Sequence, residues 1–283
     1  MTRKHYALFG QPIGQSLSPR IHAAFAHQSG VAMDYSAQDC GAAEFSQRLA
    51  AFAENGGAGA NITQPLKSLA FAYAETIGAS AQRAGVINTL TRRGDAWHGD
   101  NTDGAGLMHD LTERLGLDLR GRRTLMLGAG GAAAGVLPAL LDAGVESVTL
   151  VNRTSQRAEQ LCERHDDPRR VHARYWKDLA TLGVFDFVLD ATSAGHGGNA
   201  LELPFAITGA RTLAVSLSYG AAASRFLAWA RAAGCSDVHD GLGMLIEQAA
   251  ESFEIWHGVR PDTLPLHRDL HADRSEAALL ATD

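Results

Sequence analysis

Leu125-Met126-Leu127-Gly128-Ala129-Gly130-Gly131-Ala132-Ala133-Ala134 is the stretch that decides the fold. An apolar triplet, a glycine-rich turn and a run of small and apolar residues predict a buried strand, a tight turn and a helix reaching residue 143. The spacing Gly128-x-Gly130-x-x-Ala133 matches the dinucleotide fingerprint with alanine in third place. Gly128 permits the turn and Gly130 lets a pyrophosphate approach the backbone. The helix N-terminus then offers free N–H groups and the positive end of the dipole. The pattern alone is weak, because any tight strand–helix turn can produce it.

The next predicted strand, residues 148–151, strengthens it. That strand ends in Asn152-Arg153-Thr154, with Arg157 one turn further. An NAD-binding unit places a carboxylate there for the ribose 2′-OH. Two guanidinium groups beside an amide and a hydroxyl suit a 2′-phosphate instead, so the expected cofactor is NADP. The competing explanation is a solvated helix start with surface arginines.

Working outward, strands and helices alternate, which predicts α/β layers with a largely parallel sheet. Strands are expected over 6–9, 33–38, 59–62, 86–91, 97–99, 187–189 and 213–215. Ser18 as N-cap and Pro19 as first residue open a helix that stops at Gly30, and Pro65 opens another. Further helices are expected over 43–52, around Leu107, Leu111 and Leu115, and from Gly241 towards His257. Arg92-Arg93-Gly94-Asp95 reads as a hairpin turn. The short apolar strands of the second half suit a sheet buried on both faces.

The 283 residues are 46% hydrophobic and 20% charged, with 25 Lys and Arg against 31 Asp and Glu, a net charge of −6. Such a chain is globular, sized for two domains, and has no electrostatic footprint for nucleic acid or an anionic membrane. An anionic ligand must be caught by locally placed positive groups. Residues 124–141 carry no charge, and about 18 residues is the flag for a membrane span. Gly128, Gly130, Gly131, Gly135 and Pro138 break that stretch into strand, turn and helix. Cys40, Cys162 and Cys235 are scattered without metal-ligand spacing and read as reduced thiols. The apolar run after Arg3 and Lys4 ends at Gly10-Gln11-Pro12, too soon for a signal peptide. The expected location is the cytoplasm. His267 and His271 stand at i and i+4 but lack the intervening glutamate and a third ligand, so a surface helix without metal is expected.

A second constellation lies outside the glycine-rich unit. Ser16-Leu17-Ser18-Pro19, Asn61-Ile62-Thr63-Gln64-Pro65-Leu66-Lys67, Ile87-Asn88-Thr89 and Asp100-Asn101-Thr102-Asp103-Gly104 gather polar residues at predicted element ends. Each has a plain structural explanation: Ser18, Thr63, Gln64 or Asp103 as helix caps, Lys67 as a solvated lysine. Together they supply hydroxyls, amides, one cation and one carboxylate, a set suited to a small polyhydroxylated acid.

With Gly10-Gln11-Pro12-Ile13, Ala191-Thr192-Ser193 and Asp240-Gly241-Leu242-Gly243-Met244-Leu245 plus Gln248 added, the chain resembles the shikimate dehydrogenase family. The resemblance implies an NADP-dependent enzyme of aromatic amino acid biosynthesis that reduces 3-dehydroshikimate to shikimate. It implies that Ser16 and Ser18 hold the substrate carboxylate and that Thr63, Asn88, Asp103 and Gln248 contact its hydroxyls. Asn61 joins the substrate set, Tyr219 stands near the carboxylate, and Lys67 with Asp103 forms the catalytic pair. For the cofactor it implies Gly128, Ala129, Gly130, Gly131, Ala132, Asn152, Arg153, Thr154, Arg157 and Thr192, with Leu217, Gly241 and Met244 lining the nicotinamide. Two positions depart from the family pattern: Asp190 stands where asparagine is common, and Ser216 where aspartate is frequent. A serine can accept the same turn N–H bonds as an aspartate, so restoring aspartate at 216 is expected to be mild.

The implied architecture is a discontinuous α/β substrate domain, 1–103 and 241–283, around a Rossmann-type NADP-binding domain, 104–240, with substrate and nicotinamide meeting in the cleft. A monomer or homodimer is expected. An NAD-using quinate/shikimate dehydrogenase and a catalytically silent binding relative are the alternatives. The first is disfavoured by Arg153 and Arg157, the second by retention of Lys67 and Asp103.

Overall fold

Two stretches of alternating strand and helix each assemble a six-stranded sheet of their own. The computed structural model describes residues 3–197 and 201–280; the expected domain limits at residues 1 and 283 lie outside the described residues. One unit comprises Met1–Gln82, Val86–Gly106 and Leu245–Asp283, the other Arg83–Gly85 and Leu107–Met244.

The first unit runs β1 (Lys4–Gly10), α1 (Ser18–Ser29), β2 (Met33–Asp39), α2 (Phe45–Glu54), β3 (Gly57–Ile62), α3 (Lys67–Tyr73), β4 (Thr76–Ile77), α4 (Ala79–Ala84), β5 (Thr89–Arg93) and β6 (Ala96–Asp100). The sheet order is β2-β1-β3-β5-β6-β4. β1 is parallel to β2 and β3, whereas β5 is antiparallel to both β3 and β6. Three of its five pairings are parallel, as expected, and the expected Arg92–Asp95 turn, with Gly94 at φ 61°, folds the chain straight back and brings in the antiparallel β5. That reversal brings the ends of β1, β3 and β6 and the start of β5 to one edge. Phe9, Leu49, Ile62, Leu66, Ile87, Leu90 and Trp97 fill the core beneath it, each burial contributing about 1.5–3 kcal/mol.

Two helix starts differ from expectation. Ser18 is already helical, and its N–H is accepted by Ser16 Oγ at 3.2 Å, so Ser16 does the work predicted for Ser18. Pro65 lies inside a turn closed by Leu66 N–H on the Thr63 carbonyl (2.9 Å), and α3 begins only at Lys67.

α5 (Asp103–Met108, continued by a π-helical turn, His109–Arg114) begins in the first unit and ends in the second, which contains β7 (Arg123–Leu127), α6 (Gly131–Asp142), β8 (Ser147–Val151), α7 (Ser155–His165), β9 (Val171–Arg174), β10 (Phe187–Asp190), β11 (Leu213–Ser216), α8 (Ala221–Ala232) and β12 (Asp237–His239). Its sheet is parallel throughout, in the order β12-β11-β10-β7-β8-β9. Strands run outward one way from β7, then the other way from β10, the doubly wound Rossmann arrangement. Leu125, Leu127, Val151, Val188 and Ala214 are buried along it, as a two-sided sheet requires.

α9 (Leu242–His257) and α10 (Leu264–Leu280) follow. His267 on α10 is buried rather than on a surface face, and its Nε2 lies 2.9 Å from Glu247 Oε1. Burial alone would raise the Glu247 carboxyl. Hydrogen bonds from His267 and Thr263 and the charge of Arg260 outweigh it and hold the group below its ordinary value. Among the described residues no cluster suits a metal ion, and no helix is long and apolar enough to cross a membrane.

Candidate active site

The shared edge of the first sheet concentrates polar side chains where the backbone leaves its ladder. Lys67, first residue of α3, extends Nζ to 2.5 Å from Asp103 Oδ2, and the two side chains are only 12% and 5% exposed. Asp103 is not the helix cap expected of it. Asn101 Oδ1 accepts the Asp103 N–H at 3.1 Å, which leaves the carboxylate for Lys67 and for Asn88 Nδ2 (2.9 Å to Oδ1). Asn88 also approaches Thr102 Oγ1 (2.8 Å) and Gln248 Oε1 (3.3 Å), while its own Oδ1 accepts the Thr102 N–H at 2.8 Å. Lys67, Asn88, Asp103 and Gln248 are thus brought together.

Asn61 is placed differently. Its Oδ1 accepts the Tyr35 hydroxyl at 2.8 Å, and its Nδ2 faces Ser252 Oγ (2.9 Å), Thr89 Oγ1 (3.2 Å) and the Asn88 carbonyl (3.3 Å). Every polar atom of this buried amide is engaged inside the protein. Thr63, half-buried beyond β3, bonds Phe9 O through its N–H at 2.9 Å. A Cβ on Gly10 would stand 2.2 Å from Thr63 Cγ2, so a glycine is required there. Ser16 and Ser18 form their own pair with hydroxyls 3.2 Å apart. Tyr219 belongs to the second unit and is half-buried there.

Four side chains behind this edge were missed in the sequence reading. Ser252 Oγ, fully buried, meets Asn61, Thr89 (2.9 Å) and Thr102 (3.3 Å), and donates to Gln248 O at 3.0 Å. Its signal was its place one helical turn after Gln248. Thr89 and Thr102 lay inside the quoted motifs, next to the residues singled out. Tyr35 gave no signal: it stacks on His22 at 4.2 Å between ring centroids, and burial pushes its phenol well above its ordinary pKa. Burial also drives His22 from 6.5 down to about 3.

In the second unit, Gly128 adopts φ +101°, and a Cβ on it would press to 2.7 Å of Ala191 O, so glycine is obligatory. A Cβ on Gly130 would meet nothing within 4 Å. Gly130 is the N-cap of α6, whose first N–H groups have no side-chain cap. Asn152 Oδ1 accepts the Ala129 N–H at 3.2 Å and ties the glycine turn to the end of β8; its Nδ2 donates to Thr154 O at 2.8 Å. Thr154 is the N-cap of α7, and Arg153 and Arg157 are exposed beside it, without an ion pair among the described residues. An open glycine turn, an uncapped helix start and two uncommitted guanidinium groups fit a phosphorylated dinucleotide. Gly131 and Ala132 open α6. Thr192 N–H and Oγ1 bond Asp190 Oδ1 at 3.1 and 2.7 Å. Leu217 and Gly241 are neighbours, since a Cβ on Gly241 would fall 2.3 Å from Leu217 O, and Met244 is buried in the first turn of α9. The two departures from the family pattern are partners: Ser216 Oγ donates to Asp190 Oδ2 at 3.0 Å and accepts the Ser218 N–H at 3.2 Å.

Comparison with known proteins agrees over the whole chain. Family models match residues 8–90 (shikimate dehydrogenase substrate binding domain), 110–197 (shikimate / quinate 5-dehydrogenase) and 241–266 (shikimate 5′-dehydrogenase C-terminal domain). A protein of Xanthomonas euvesicatoria named shikimate dehydrogenase (NADP(+)) is 53% identical over 285 residues, covering 100% of both chains. Among solved structures, an Ael1 enzyme from Pseudomonas putida superposes with TM-score 0.84 at 38% identity, over 94% of this chain and 98% of that one. A Thermus thermophilus shikimate 5-dehydrogenase in complex with NADP(H) and shikimate gives TM-score 0.78 at 31% identity, over 92% and 95%.

Proposed function

The chain belongs to the shikimate dehydrogenase family, and from that premise we infer the following division of labour among its residues. It is an NADP-dependent oxidoreductase that interconverts 3-dehydroshikimate and shikimate, a step of aromatic amino acid biosynthesis. Bound NADPH supplies the hydride. Lys67 delivers a proton to the oxygen that was the ketone, and its charge offsets the negative charge developing there. Asp103 holds the Lys67 ammonium in place and, in the reverse direction, takes part in removing the proton; the two act as one coupled unit. Asn88, Thr63 and Gln248 orient the ring hydroxyls, and Ser16, Ser18 and Tyr219 take the carboxylate. Asn61, committed to internal partners, serves this set by holding the edge of β3.

Residues 1–103 and 241–283 form the substrate domain in this reading and 104–240 the NADP domain. Gly128, Ala129, Gly130, Gly131 and Ala132 receive the pyrophosphate, and Asn152, Arg153, Thr154 and Arg157 the 2′-phosphoribose. Thr192, Leu217, Gly241 and Met244 line the nicotinamide half. The observation that carries the reading is the Lys67–Asp103 contact of 2.5 Å between two nearly buried side chains.

The test is absorbance at the NADPH band, with shikimate and quinate each run against NADP and NAD. Shikimate with NADP should give the highest kcat/KM; no turnover with shikimate sinks the reading. A cytoplasmic enzyme fits the three free cysteines, Cys40, Cys162 and Cys235. Its active form is a monomer or a homodimer, which light scattering distinguishes.

A further inference from the structure

We propose that Asp190 is a positioning residue which, clamped to Ser216, fixes the segments 191–193 and 217–219 that face the cofactor. The proposal rests on the cofactor reading above. Asp190 ends β10, opposite Ser216 at the end of β11 and opposite Leu127, the residue before Gly128, on β7. β7 and β10 flank the reversal of strand order, where doubly wound sheets bind their ligands beyond the carboxyl ends of the strands. Asp190 and Ser216 are 4% and 0% exposed. One oxygen of Asp190 holds both the N–H and the hydroxyl of Thr192; the other accepts Ser216 Oγ, which itself accepts the Ser218 N–H. A single buried carboxylate therefore orders the first residues past two adjacent strands. Those residues have little slack. Ala191 O closes against Gly128, and Leu217 O against Gly241, each within 3 Å of where a Cβ would stand. A shift of either segment moves the walls of the glycine turn or of the approach to α9.

Nothing in this geometry ties the carboxylate to position 190. With an amide at 190 and a carboxylate at 216 the same bonds form with donor and acceptor exchanged. The amide oxygen would accept from Thr192, and its N–H would donate to the new carboxylate, which would also accept the Ser218 N–H. Two facing carboxylates are another matter, because like charges at that separation cannot both stay ionised without cost. The two positions must therefore change together, which reverses the expectation that Ser216→Asp alone is mild.

The experiment compares wild type, Asp190→Asn, Ser216→Asp and the double variant by kcat, KM for NADP, KM for shikimate and Tm. Ser216→Asp should lower kcat/KM for NADP about tenfold or more, and the double variant should return to within about threefold of wild type, the non-additivity of directly coupled sites. KM for shikimate at saturating NADP should stay within about twofold throughout, a split that a purely structural contact would not produce. If Ser216→Asp does not fold, a folded double variant with near wild-type KM for NADP carries the same support, and an unfolded double overturns the clamp. A double variant no better than Ser216→Asp also overturns it. Recovery of Tm with KM for NADP unmoved in every variant overturns the positioning role. Arg153→Ala then tells the two failures apart. Weakened NADPH binding leaves the cofactor reading standing, while unchanged binding means the reading itself has failed.

Discussion

The two units solve opposite problems with their polar groups. In the first, Lys67, Asp103, Asn88, Gln248, Asn61 and the hydroxyls behind them are bonded mainly to one another, mostly out of water. In the second, the groups assigned to the cofactor are backbone N–H groups at an uncapped helix start and exposed guanidinium groups. The difference follows from the ligands. The hydroxyls of the substrate ring offer weak, directional contacts, so their receptors must be held in place beforehand. A dianionic phosphate brings its own driving force, and charge-assisted bonds to it tolerate groups that settle on arrival.

The sharpest way to break this contrast is Lys67→Ala. It should lower kcat by roughly 10²–10⁴, the span of a positioned proton donor, while NADPH affinity measured by fluorescence titration hardly moves. A kcat within about threefold of wild type, far below that span, removes Lys67 from the chemistry. On the other side, Arg153→Ala removes a charge-assisted bond of ~1.5–3 kcal/mol. NADPH should bind roughly 10- to 150-fold more weakly, with NADH almost unaffected. Equal losses for both cofactors would mean that Arg153 does not read the 2′-phosphate.

The held-in-place character of the first unit also has a pH signature. His22 titrates at about 3 in the folded protein against 6.5 when free, so between those values only the unfolded chain takes up the proton. Its contribution is complete above about pH 6.5 and is lost as the pH falls towards 3. At pH 5 the loss is about 2 kcal/mol at 1.36 kcal/mol per pH unit. Urea midpoints at pH 7 and 5 should show that drop in wild type and a smaller one in His22→Phe; parallel slopes would discard the assignment. The smallest effect is expected from Ser252→Ala. Its partners keep other bonds, so about 1 kcal/mol of stability and a Tm shift of roughly 2–4 °C should disappear. Calorimetry showing no shift would mean the buried hydroxyls are not coupled to the fold.

What the sequence disclosed divides along the same line. The glycine turn was legible because its requirements are local: Gly128, Gly130 and Arg153 lie within 26 positions of one another on consecutive elements, and backbone chemistry dictates them. The network behind Asp103 was not. Ser252 is chemically an ordinary helix serine until the sheet edge brings Asn61 and Thr89 against it, and Asn61 looked like a ligand group because its partners are far away in sequence. His267 looked like a surface residue for the same reason, its partner Glu247 lying on another helix. The hairpin of the first sheet, like the glycine turn, was legible for a local reason, its Gly94 turn joining β5 and β6 within the α/β alternation around it.

The separation of those partners has a consequence for synthesis. Ser252 meets Thr89 across 163 positions and Asn61 across 191. Closing loops of that length costs little more than closing half of it, about 0.6 kcal/mol per doubling, so the delay is one of timing rather than stability. At about 5–20 residues per second, β7 to β12 leave the ribosome and can pair while Asn88 and Asp103 still wait for Gln248. The nascent chain thus has its dinucleotide sheet complete before its substrate edge can close, and α9, made afterwards with Gln248 and Ser252, is what finishes it.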